Sequence, residues 1–276
     1  MKPFALVVLS LLVVAVYLFA TAPPPLAEEG AVVGRTLSVS DVLRICAAEN
    51  AKVRELYTKE IVGAGGRVGF QFKEEWRDED VQAGPLPALF LRAAAMSLEK
   101  DPVRLGLFLG SDFPIEQSNL FEGEQLAKFQ LIRQDQQPRF FVTPDTGLHT
   151  AMFADLAMAQ PCVSCHNDHP SSPKTDWKLG DVMGATTWTY PKAEVSFDEM
   201  MDVLAALRRS FRDAYGQYIA ETETFDRRPE IGDRWPRDGY YLPSVDVFME
   251  ELERRSSVES LDRLLSASIA SPESAG

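Results

Sequence analysis

Cysteine and histidine are scarce, three of each in 276 residues. Three cysteines cannot staple a small disulfide fold, so the architecture has to rest on an apolar core. Basic residues are also few: 28 Lys and Arg against 41 Asp and Glu, a formal net charge of -13. Nucleic acid is held by clustered Lys and Arg, and no basic stripe occurs, so no nucleic-acid partner is expected. The same charge suits repulsion between copies or docking to a basic partner. Internal repeats are lacking, and no low-complexity tract occurs beyond one linker. The chain is 45% hydrophobic and 25% charged, enough for one good-sized domain with extras.

The longest apolar run is at the start. Met1-Lys2-Pro3 precedes Phe4 to Ala20, interrupted only by Ser10. As a helix the run would be about 25 Å long, close to the hydrocarbon thickness once its flanks are included. Lys2 lies before it and Glu28 and Glu29 after it, an order that keeps the start in the cytoplasm and exports the rest. Residues 1–22 therefore read as a transmembrane signal anchor or a signal peptide. Ala20-Thr21-Ala22 offers small residues for cleavage, but Pro23 is a poor residue to follow a cut. A buried core helix would rarely be apolar all round. Either leading reading places the remainder on the periplasmic side of the inner membrane, anchored there or released. Residues 23–36, rich in Pro, Ala and Glu, form a linker.

Beyond the linker, Ser40 opens a helix to about Lys59, with Val42, Leu43, Cys46, Val53, Leu56 and Tyr57 on one face. The run Gly63-Ala64-Gly65-Gly66 is expected to end that element. Val68, Phe70 and Phe72 alternate as in a strand, as do Val103 to Leu109. Helices are expected over Ala88–Glu99 and Phe121–Ile132. Arg139–Thr143 and His149–Phe153 flank a turn at Pro144-Asp145-Thr146-Gly147, and Ala185–Tyr190 is a further strand. Ser196 and Glu199 make a capping-box pattern for a helix to about Ala220. A last helix, Val245 to about Ile269, carries Phe248, Leu252, Leu261, Leu264 and Leu265. That stripe could dock a partner or pack on its own domain. The pattern favours an α+β fold.

Two of the three cysteines stand in Cys162-Val163-Ser164-Cys165-His166. Two thiols at this spacing can each add to a vinyl group on one edge of a haem, and the adjacent histidine then lies beneath the iron. Zinc is a second possibility, because His169 completes a Cys/His cluster, although structural zinc sites draw their pairs from separated segments. A redox dithiol is a third. Those motifs open a helix after a strand in a βα unit, and Pro161, Asn167, Asp168 and Pro170 do not resemble that setting.

The residues around the motif carry more. The run Cys162-Val-Ser-Cys165-His166-Asn167-Asp168-His169-Pro170, then Ser172-Pro173-Lys174, then Asp176-Trp177-Lys178-Leu-Gly180-Asp181-Val182-Met183-Gly184, closely resembles a family of extracytoplasmic c-type haem domains with a PAS-like fold. That domain occurs alone and as the outer sensing part of bacterial membrane kinases, cyclases and chemoreceptors. The similarity is dense over about Met152 to Pro191 and looser back to the helix bearing Cys46. It implies one covalent haem c on Cys162 and Cys165 with His166 on the iron. It also implies a PAS-like antiparallel sheet flanked by helices over 37–193, leaving 194–276 as a helical C-terminal extension.

In that family a cysteine on the N-terminal helix can supply the sixth iron ligand, and Cys46, in Arg44-Ile45-Cys46-Ala47, matches the position. Its thiolate would be a soft ligand; the competing fate is inert packing. His149, His169, Met152, Met158 and Met183 are weaker rivals for the iron. Trp177 and Lys178 are candidate neighbours of the ring and its propionates. Met183 stands where the family usually has a basic residue, so a propionate contact is lost or replaced.

These features imply a redox or gas sensing haem module. No kinase-like or cyclase-like stretch follows the motif, so it would act through a protein partner. The alternative is a monohaem electron-transfer protein or an accessory subunit of a membrane redox complex. No acid/base constellation lies near the motif, and no enzyme activity is expected.

Overall fold

Helix α1 (Val39–Leu56) begins where strand β1 (Thr36–Ser38) stops. Ser38 keeps an extended backbone, and its hydroxyl accepts the Asp41 N–H at 3.2 Å, meeting one of the donors a helix start leaves free. Val42, Leu43, Cys46, Val53 and Leu56 are buried along one side, as their spacing predicts. The helix then outruns its expected end. It passes through a π-helical stretch, Tyr57–Gly63, and a last α turn, Ala64–Arg67. Gly65 serves packing there: a Cβ on it would stand 3.2–3.3 Å from the rings of Phe70 and Phe72. The reversal comes later, at Gly69, with φ of 103°.

This computed structural model describes residues 14, 17, 36–235 and 241–270. The chain divides into Met1–Arg35 and Thr36–Gly276. The expected anchor over 1–22 and the linker over 23–36 lie outside the described residues, except for Val14 and Tyr17, both helical and exposed, and Thr36. Among the described residues no helix is long and apolar enough to cross a membrane.

The strand expected over Val68–Phe72 is reduced to β2 (Phe72–Lys73), paired in parallel with β3 (Gly84–Pro85). In chain order there follow α2 (Pro87–Leu98), β4 (Gly106–Gly110), α3 (Gly123–Asp135), β5 (Arg139–Val142), β6 (His149–Leu156), α4 (Gln160–Asp168), β7 (Val182–Tyr190), β8 (Glu194–Ser196), α5 (Phe197–Glu221), β9 (Glu230–Gly232), β10 (Tyr241–Pro243) and α6 (Val245–Ala270).

The main sheet has the order β4-β7-β6-β5, antiparallel throughout. Strand alternation sends Leu107, Ala151 and Trp188 into a core shared with α1, α2, α5 and α6. Phe108, Phe141 and Met152 face the other way and meet Phe121, Phe129 and Ile132 beneath α3. The fold is therefore α+β, a four-stranded sheet with helices on both faces.

A short pairing of β1 with β8, Leu37 opposite Val195, sets the starts of α1 and α5 side by side. The Ser196 hydroxyl accepts the Glu199 N–H at 3.2 Å. The other half of the expected capping box does not form. The Glu199 carboxylate instead accepts the Tyr190 hydroxyl at 2.5 Å and pairs with Lys192 at 2.8 Å. On α6, Phe248 and Leu252 are fully buried in the shared core, so this part of the stripe packs on its own domain. The side chains of Leu261, Leu264 and Leu265 lie outside the described residues.

Candidate functional site

Strand β6 loses its regular register between Asp155 and Leu156, and the chain then turns toward the motif. The Ala157 N–H donates to the Asp181 carbonyl at 2.9 Å, and the Gly180 N–H donates back to Ala157 at 3.0 Å. The segment entering α4 is thus held beside the one entering β7. Pro161 sits in the first turn of α4, where its missing N–H has no partner to lose. The helix stops at His169, extended because Pro170 follows it.

Residues three apart share a helix face, so Cys162 and Cys165 project together. Cys162 is half-buried, Cys165 is exposed, and both are free thiols. Val163 turns inward and packs with Ala157, Trp177, Phe113 and Met183. The motif therefore does open a helix after a strand, a setting that its flanking residues do not suggest. The dithiol reading still fails on two grounds. β6 and β7 are antiparallel, so no parallel βαβ unit is formed. Burial, and then the nearby Glu74 carboxylate, push the Cys165 thiol above its ordinary value, the opposite of an activated redox cysteine.

His166 closes the motif with its ring edge-on to Trp177, centroids 6.5 Å apart. Its Nδ1 is buried without a hydrogen-bond partner, and so is the Trp177 Nε1. Burial, and then the neighbouring His169, lower the His166 pKa against the pull of Glu74, which favours the neutral, metal-competent ring. Trp177 is buried and locked in place. Its backbone N–H donates to Asn167 Oδ1 at 2.8 Å, and its backbone carbonyl accepts from Asn167 Nδ2 at 3.0 Å. Lys174 lies over the indole, 4.6 Å from the centroid, and pairs with Asp176. Lys178 is exposed, and its backbone N–H donates to Asp181 at 2.8 Å.

His169 is occupied elsewhere. Its Nδ1 accepts the Ser171 N–H at 3.1 Å, so Nε2 carries the proton and donates to Glu74 at 3.2 Å. This removes the fourth ligand from the zinc reading. Among the described residues no three His, Cys, Asp or Glu side chains gather as a metal site.

Cys46 is not brought to the motif. It is fully buried in the main core on α1, close enough to Tyr190 to influence it, while Tyr190 lies at the far end of β7 from Val182. The α1 side chain that reaches the motif is Arg54, eight residues on, or about 12 Å along the axis. Burial, and then Glu49, raise the Cys46 pKa strongly, holding it as a thiol.

Sequence reasoning did not single out Arg54, Glu74, Phe113 or Asn167. Asn167 directly follows the motif and could have been noticed as its next polar residue. The other three come from distant segments and carry no local signal.

The stretch 113–191 matches the Tll0287-like family, a family of c-type haem domains, and a domain of that kind is present here. It runs from Phe113 through α3, β5, β6, α4 and β7, and so contains the whole motif. No curated protein and no solved structure matches the chain.

Proposed function

We propose that the chain is a membrane-anchored protein of the periplasmic face. One haem c would be attached through Cys162 and Cys165, with His166 on the iron. It acts as a redox or gas sensing module through a partner protein and has no enzymatic activity of its own. The α4 surface carries this reading: two free thiols on one face beside a histidine and a tryptophan with orphaned buried nitrogens. A buried donor without a partner costs about 1–3 kcal/mol, so this wall fits a further group.

Bound there, a haem would supply a one-electron iron couple and a site for a small gas. The protein's own residues hold and orient it. Helix α4 sets the thiol spacing, and Trp177, fixed by Asn167, sets the His166 ring. Lys178 and Lys174 are cations within reach of propionates. The resemblance of this region to PAS-like haem domains supports the same assignment, with the sheet as its scaffold. The structure leaves Cys46 two helical turns from Arg54, so its assignment as sixth ligand rests on the resemblance alone.

The test is the mass of the exported, matured protein. One haem's mass that survives denaturation and is lost in Cys162→Ala/Cys165→Ala is expected. Bare polypeptide, or bound zinc, would sink the proposal.

Electron transfer is the second reading, and one observation favours it. Among the described residues of Thr36–Ala270, Met158 and Leu179 are the most exposed large apolar side chains, at 78% and 59%. They flank the Ala157–Gly180 hydrogen bond at the foot of the motif helix. Such a rim suits brief docking of a redox partner. Rapid formation of a ferrous–CO complex supports sensing; a ferrous form inert to CO at moderate potential supports transfer.

A further inference from the structure

Where α1 approaches the motif, it presents one ionic group that packing alone does not require. The Arg54 guanidinium bonds Asp155, the last residue of β6 before the register breaks toward α4. The Asp155 carboxylate also accepts the Thr186 hydroxyl, at 2.9 and 3.1 Å to its two oxygens. The pair is partly buried, and Arg54 is close enough to Cys162 for the two to interact electrostatically. Glu74 and Asp168 set negative charge beside Cys165.

We propose that Arg54 and Asp155 form a charge-balanced pair beside the iron centre attached at Cys162, each charge offsetting the shift that the other alone would impose on its reduction potential. The inference rests on the haem assignment above and deepens it. A positive charge held near an iron couple in a low-dielectric surround favours the reduced form, and a negative charge the oxidised form. Together the two charges largely cancel at the iron. Separated by mutation, each acts alone and in the opposite sense. A pair that merely ties α1 to β6 would behave otherwise: breaking it from either side would loosen the same contact and move the potential the same way.

The experiment is anaerobic redox titration of the full, haem-loaded protein and its variants. Arg54→Gln leaves Asp155 negative and lowers the potential. Asp155→Asn leaves Arg54 positive and raises it. The double variant Arg54→Gln/Asp155→Asn returns toward the parent value, and Arg54→Lys, which keeps the charge, stays near it. Should Arg54→Gln fail to accumulate, Asp155→Asn and Arg54→Lys decide the matter. A raised potential in the first with a parental one in the second supports the pair. An unchanged or lowered potential in Asp155→Asn overturns it, as do shifts of one sign in both single variants. A parent protein without covalent haem overturns the haem assignment and this inference together; a loaded parent with shifts of one sign overturns the inference alone.

Discussion

Asn167 treats the Trp177 backbone as a strand neighbour would, accepting from its N–H and donating to its carbonyl. Asn167→Ala leaves both groups in a part-buried setting without that partner. The expected loss is about 2 kcal/mol in urea unfolding, with a red shift in Trp177 emission. A loss below about 0.5 kcal/mol would show that water replaces the amide without cost. Cys46 shows how far single residues could be read. Helical spacing turned it inward, and it is inward. What it faces depends on how far along β6 the helix lies, and spacing within one helix carries no such information. Cys46→Ala is expected to cost about 1 kcal/mol through the small void it leaves, with the axial absorption spectrum of the loaded protein unchanged. A changed spectrum would require α1 to slide toward the motif and would support Cys46 at the iron.

Elements with local determinants were legible, and those decided at a distance were not. Ser196 starts its helix as expected, the first helix is capped by Ser38 and not by Ser40, and β5, β6 and β7 fall within a few residues of the strands expected around the Pro144–Gly147 turn and at the Thr- and aromatic-rich run. The glycine run after Val62 looked like a terminator because Gly disfavours helix, but close packing of Phe70 and Phe72 on Gly65 outweighs that preference. The motif helix was not expected because Pro161, Asn167, Asp168 and Pro170 do not resemble the flanks of a helix that opens after a strand, although Pro161 fits a first turn and Pro170 follows the last. The attachment of α6 depends on a buried carboxylate. Glu49, on α1, accepts two bonds from Arg208 on α5, at 2.9 and 3.3 Å, and one from Ser260 on α6. Removing Arg208 leaves that charge enclosed with only the hydroxyl, so Arg208→Ala should cost about 3 kcal/mol. Glu49→Gln should cost less, since it removes the charge as well as the pairing. Urea midpoints of the two variants check the order, and a milder Arg208→Ala would mean that solvent reaches Glu49.

At the scale of the whole molecule, the motif sits at one end of a sheet whose main face is covered by helices from both ends of the chain. Tyr57 and Phe90 stack at 4.3 Å between centroids, and Phe248 lies edge-on to Phe90 and stacked on Tyr215 at 4.1 Å. These rings come from the α1 extension, α2, α5 and α6, so the core on the main face of the sheet, which the haem-family match enters through Ala151 and Trp188, is not closed without the last 80 residues or so. A chain ended at Ala193 would take α5 off α2 and α6 off α1, and bare to water the apolar side chains they cover, Phe90 among them. Each such side chain contributes about 1.5–3 kcal/mol when buried, and their joint loss exceeds the margin of an ordinary domain. The shortened chain is therefore expected to give a broad, non-cooperative melt, to bind hydrophobic dyes, and to retain little covalent haem after export. A sharp melt with full haem occupancy would show that residues 36–193 close a core of their own, and that α5 and α6 are an addition to the domain and not a wall of it.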